Sequence, residues 1–64
     1  MTPYESRVIV EHTELMEKLV ALRTFLIEPV VVVPEKDMAL LTEQEEHMHM
    51  YSVVLAKRIR RFAT

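Results

Sequence analysis

Three side chains in the first part of the sequence, an aromatic residue and two cations, are candidates for a binding site rather than for catalysis. Tyr4 and Arg7 are three residues apart and share a face of a helix, while Lys18 lies roughly four turns from Tyr4. Lys18 would have to meet the other two from another subunit. The alternative is a packed tyrosine and two solvated cations.

The histidine tract of the second half does not predict a metal site. His47 and His49 are two residues apart, so on a helix they point about 200° from each other and cannot share an ion. The chain has no cysteine and no glycine, which excludes a thiolate nucleophile and a glycine loop around phosphate. No serine has a plausible base beside it. We therefore predict no metal, no cofactor and no enzymatic activity.

The cationic and aromatic residues of the first half lie on a strongly patterned helix. Thr2 can cap it, Pro3 suits its first position, and Glu5 completes a capping box. An apolar seam with alternating steps of four and three predicts a partner helix. The seam consists of Val8, His12, Leu15, Leu19, Leu22 and Leu26, and a second apolar stripe of Ile9, Met16, Val20 and Ile27 lies beside it. The second stripe predicts more than one neighbour.

A proline-flanked run of four valines, residues 30–33, follows the first helix and predicts an extended connection. The second helix can begin near Pro34 or at a second capping box that starts at Thr42. We favour the earlier start, because Met38 and Leu41 continue the apolar spacing into the rest of the helix. Its last turns carry Lys57, Arg58, Arg60 and Arg61. These cations complement the helix dipole, or they bind an anion in a ring of subunits.

Composition predicts an all-α fold. Half of the 64 residues are hydrophobic and only 6% are aromatic, a balance typical of aliphatic helix packing. We predict a single domain of residues 1–64, an antiparallel two-helix hairpin that assembles into a compact homo-oligomer. Its helices span about 3–27 and 35–62, joined by a connection of about 28–34. The net charge of -2 argues against long nucleic acid, and no apolar run is long enough to span a membrane.

The sequence resembles a family of short phage proteins. It looks like the helical-hairpin family of the phage anti-CBASS cyclic-oligonucleotide sponges, a domain shared with a Thoeris anti-defence protein. The resemblance covers nearly the whole chain and includes an N-terminal block, residues 2–9, and an M-x-x-Y-x-x-x-L-x-x-R-I pattern in the second helix. The pattern is formed by Met48, Tyr51, Leu55, Arg58 and Ile59.

This resemblance implies a non-catalytic protein in the cytoplasm of the infected bacterial host that blocks CBASS-type signalling by sequestering cyclic messengers. The implied ligands are cyclic dinucleotides such as cGAMP and, at a second type of site, cyclic trinucleotides. The implied assembly is a homohexamer with ligands between protomers. Tyr4 and Lys18 would serve the dinucleotide site, Arg7 would supply a second cation, and Arg58 would serve the trinucleotide-type site. The alternatives are a small RNA-binding hairpin dimer and a purely structural or partner-binding hairpin.

Overall fold

The protein is an antiparallel hairpin of two long helices. The computed structural model describes residues 1–63, with α1 at Pro3–Ile27 and α2 at Glu35–Phe62. These residues contain no strand. The hairpin is a rod of 45 × 17 × 15 Å. The prediction of an all-helical, two-helix hairpin is confirmed.

The start of α1 is fixed by a complete capping box. The Glu5 backbone N–H donates to Thr2 Oγ1 over 3.1 Å, and the Thr2 backbone N–H donates to Glu5 Oε1 over 2.8 Å. Pro3 occupies the first turn, where its missing N–H leaves no bond unmade. Donation from the Thr2 N–H stabilises the charged carboxylate and holds the pKa of Glu5 below its ordinary value.

The start of α2 has no side-chain cap. The helix begins at Glu35 after Pro34, which supplies no side-chain cap, so the chain uses the earlier of the two possible starts. Thr42 lies inside the helix, where its hydroxyl donates to the Met38 carbonyl over 3.0 Å. The valine connection, residues 30–33, is irregular rather than continuously extended, because the chain bends at Val30 and Val31. It is mostly exposed, with Val32 fully accessible.

The core is a thin seam between the two helices. Val8 and Leu19 from α1 meet Leu55 and Ser52 from α2 as the buried residues, and Leu19 and Leu55 are completely enclosed. Ser52 satisfies its buried hydroxyl by donating to the His49 carbonyl over 2.6 Å. The other predicted seam residues are partly buried, because a two-helix hairpin can cover only one face of each helix.

Candidate functional site

The antiparallel register brings Tyr4, at the start of α1, against the last turns of α2. Arg58 Nη2 donates a hydrogen bond to the Tyr4 hydroxyl, and the Arg58 guanidinium carbon lies 5.7 Å from the centre of the Tyr4 ring. The Phe62 ring meets Tyr4 edge-on, with centroids 6.1 Å apart and an interplanar angle of 64°. We call Tyr4, Arg58 and Phe62 the terminal cluster.

Helix periodicity explains why these three side chains meet. Arg58 and Phe62 are four residues apart and therefore neighbours on one face of α2. Arg58 follows the buried Leu55 by three residues, which places it at the margin of the core seam. Tyr4 precedes the buried Val8 by four residues and occupies the matching margin of α1. The cluster thus covers the end of the apolar seam. Tyr4 itself remains 51% exposed, so one side of the cluster is open to solvent.

This end of the hairpin is strongly positive although the whole chain is acidic. Residues 1–7 and 57–63 contain five cationic side chains and one carboxylate, Glu5, whereas the chain as a whole has a net charge of -2. The cations are Arg7, Lys57, Arg58, Arg60 and Arg61. Within residues 1–63 Arg58 forms no ion pair with a carboxylate, and its partner is the neutral Tyr4 hydroxyl. Its positive charge is therefore available to an anion.

Of the four predicted site residues, the hairpin brings Tyr4 and Arg58 into contact, keeps Arg7 one turn from Tyr4 on α1, and leaves Lys18 distant from both. Arg7 lies one turn after Tyr4 and is exposed. Lys18 is also exposed and lies roughly 21 Å from Tyr4 along the helix axis. Neither cation has a hydrogen-bond or ion-pair partner among residues 1–63. A ligand that touches Tyr4 and Lys18 at once would therefore need two copies of the chain.

A second polar cluster crosses the helices nearer the connection. Arg23 Nε donates to Glu45 Oε1 over 2.7 Å, and Arg23 Nη2 lies 3.0 Å from His49 Nδ1. Because a guanidinium can only donate, His49 accepts this bond through Nδ1. Sequence reasoning missed this clasp of Arg23, Glu45 and His49. The available signal was that Arg23 and Glu45 each flank the apolar seam, where charges of facing helices pair.

An open groove along α1 has a volume of about 530 Å³ and is lined by His12, Thr13, Met16, Glu17 and Val20. All five belong to one helix, so the second helix does not enclose the groove. Its one permanently charged group is the carboxylate of Glu17, which repels an anionic ligand. Unlike the terminal cluster, the groove therefore offers no permanent positive charge to an anionic ligand.

Two further properties follow from the described part of the chain. Within residues 1–63, no three side chains of the metal-binding types converge on a point. Neither helix of this part has the length and apolarity that crossing a membrane requires.

The fold and the cluster together define a small helical hairpin protein with a cation-rich aromatic end. The chain belongs to the Sequestin family, whose model matches residues 2–61. This match covers all of α1 and all but the last residue of α2, and it confirms the family resemblance drawn from the sequence. No curated protein and no solved structure matches the chain.

Proposed function

We propose that the protein captures cyclic oligonucleotide messengers and holds them without chemical change, so that CBASS-type signalling in the infected bacterium is blocked. The observation that carries this proposal is the terminal cluster, where an exposed tyrosine ring lies among cations on an acidic chain. The family name, Sequestin, agrees with capture as the mode of action. The ligands would be cyclic dinucleotides such as cGAMP and, at a second type of site, cyclic trinucleotides.

Each site residue has a distinct role in this proposal. The Tyr4 ring stacks on a purine base, an interaction worth about 1–3 kcal/mol per base. Lys18 neutralises a phosphodiester of the dinucleotide, and Arg7 supplies a second cation beside Tyr4. Arg58 is the cation of the trinucleotide-type site, where a planar guanidinium can bind phosphate through two parallel hydrogen bonds.

The proposal includes self-association, in the form of a homohexamer that brings Lys18 of one copy to Tyr4 of another. Surface area supports an assembly of copies. The chain exposes 5158 Å², whereas a compact monomer of 7.6 kDa exposes roughly 4300 Å². The excess of roughly 900 Å² is close to the area of about 800 Å² that each partner buries in a standard interface.

The apolar part of that surface supports the same conclusion. Val20 and Ile27, from the second apolar stripe of α1, are exposed, and so are Val30, Val31 and Val32 of the connection. Such a stretch is unfavourable in water unless another surface covers it. The competing function is a partner-binding hairpin, in which this surface receives a helix of a different protein.

Calorimetric titration with cGAMP tests the proposal. We expect tight binding, with fewer ligands than protomers if one ligand spans a two-fold pair of copies, and intact cGAMP recovered after heat denaturation and chromatography. Lys18→Ala should abolish binding without changing helicity or oligomer size, while Lys36→Ala, which removes an exposed lysine from the start of α2, should bind normally. Absence of heat with cGAMP and with a cyclic trinucleotide would refute capture. A monomer at micromolar concentration would refute the shared site.

A further inference from the structure

We infer that Arg58 is a positioning residue for Tyr4, and that it holds the tyrosine ring in its stacking orientation before any ligand arrives. This inference rests on the proposed function for its consequence in binding. Its structural basis is the terminal cluster itself, in which one guanidinium contacts both the hydroxyl and the ring of Tyr4.

Two residues of α2 contact Tyr4 at different points of its side chain. The hydrogen bond from Arg58 fixes the hydroxyl end of the ring. Phe62, one turn after Arg58 on α2, contacts the Tyr4 ring edge-on, with ring centroids 6.1 Å apart and an interplanar angle of 64°. This contact holds the plane of the Tyr4 ring. A tyrosine that is 51% exposed would otherwise sample several rotamers, and a ligand would have to order it on binding.

Arg58 can position Tyr4 and remain a cation for a ligand. A guanidinium has five N–H donors, and the Tyr4 hydroxyl accepts from Nη2 alone. The hydroxyl is neutral, so the bond leaves the positive charge uncompensated. Arg58 could thus act on a dinucleotide in two ways, by orienting Tyr4 or by touching the ligand, and the two ways predict different results.

A double-mutant cycle separates them. Tyr4→Phe keeps the stacking ring but removes the acceptor of the Arg58 bond. If Arg58 acts by positioning, Arg58→Ala should weaken cGAMP binding by about three- to tenfold in the parent protein and have little effect in the Tyr4→Phe background. An equal loss in both backgrounds would overturn the inference, because it would mean that Arg58 contacts the ligand directly. Arg60→Ala removes the same charge from another face of α2. Its loss of affinity measures the purely electrostatic effect, which is subtracted from the loss in Arg58→Ala.

A measurement without ligand keeps the inference testable if cGAMP does not bind. In the free protein, Arg58→Ala should shift the aromatic proton resonances of Tyr4 and average its side-chain couplings, whereas Arg60→Ala should leave both unchanged. Arg58→Lys should restore part of the ordering, since an ammonium can still donate to the hydroxyl. Unchanged Tyr4 resonances in Arg58→Ala, with helicity preserved, would overturn the inference. Failed binding with shifted resonances would refute the proposed function alone.

Discussion

The two ends of the hairpin each carry an arginine that reaches the other helix, but the two arginines meet different partners. Near the connection, Arg23 pairs with the Glu45 carboxylate and also donates to His49. At the terminal end, Arg58 donates to the neutral hydroxyl of Tyr4 and lies over its ring. One guanidinium charge is neutralised within the chain and the other is not.

This difference separates a structural contact from a candidate binding site. The Arg23 clasp already satisfies its charge, so an anion would have to compete with Glu45 to bind there. The terminal cluster offers an anion an unpaired charge beside an aromatic face. A cation count along the sequence would treat both arginines alike, and only the identity of their partners distinguishes them.

Removing the core that both ends share should have the largest effect. Leu19 is completely buried, so Leu19→Ala leaves a cavity and should cost about 2–5 kcal/mol of stability, seen as a lower urea midpoint by circular dichroism. Leu40→Ala removes the same side chain from a position that is 62% exposed and should cost less than about 0.5 kcal/mol. Equal losses would mean that the Leu19 seam is not the core.

Truncating the ring of the terminal cluster tests whether that end binds ligand. Tyr4→Ala should lose about 1–3 kcal/mol of binding free energy for cGAMP, the value of one stacked base, as measured by calorimetry. Tyr51→Ala, at another exposed tyrosine in the middle of α2, is the matched control and should bind normally. If both variants lost the same affinity, the terminal end would have no special role.

Breaking the clasp near the connection should affect stability and leave binding unchanged. Arg23→Ala leaves Glu45 without its cation, and because the Arg23 and Glu45 side chains are 39% and 22% exposed, solvent screening limits the cost to about 1–2 kcal/mol. Urea unfolding measures this loss, and calorimetry with cGAMP measures the affinity. A fall in affinity with stability intact would reverse the roles assigned to the two ends.

The smallest expected effect is the pH dependence of the α1 cap. The pKa of Glu5 is lowered in the folded protein, chiefly by the hydrogen bond from the Thr2 N–H. The contribution of Glu5 is therefore complete above its unfolded-state pKa and is lost as the pH falls through its folded-state pKa. Glu5→Gln keeps the capping box without a titrating group. The thermal midpoint of the parent relative to Glu5→Gln should fall on acidification, and a constant difference would contradict this.

Much of the fold was predictable because short-range sequence patterns determine where the helices lie and which faces they bury. The capping box of Thr2 and Glu5 lies within four residues, and the apolar spacing marks both helices and the seam. The start of α2 had two candidates, one near Pro34 and one at the capping box of Thr42. The apolar spacing of Met38 and Leu41 favoured the earlier start, and in the structure α2 begins at Glu35 with both side chains partly buried.

The candidate site was predictable only as separate residues. Tyr4 and Arg58 were each singled out, but their contact depends on the register between two helices, and neither helix specifies that register alone. Phe62 was not singled out as a site residue, so its contact with Tyr4 was missed. A single hairpin leaves Lys18 far from Tyr4, so the proposed shared site would require another copy of the chain.

The antiparallel course of the hairpin also decides where a probe can be attached. Because α1 begins and α2 ends beside the terminal cluster, a tag or fluorophore joined to either end of the chain would sit next to Tyr4 and could obstruct the ligand. The connection lies at the opposite end of a rod 45 Å long. A cysteine introduced at Val32, which is fully accessible in a chain without native cysteine, would carry a label far from the cluster and report the rotational diffusion of the molecule.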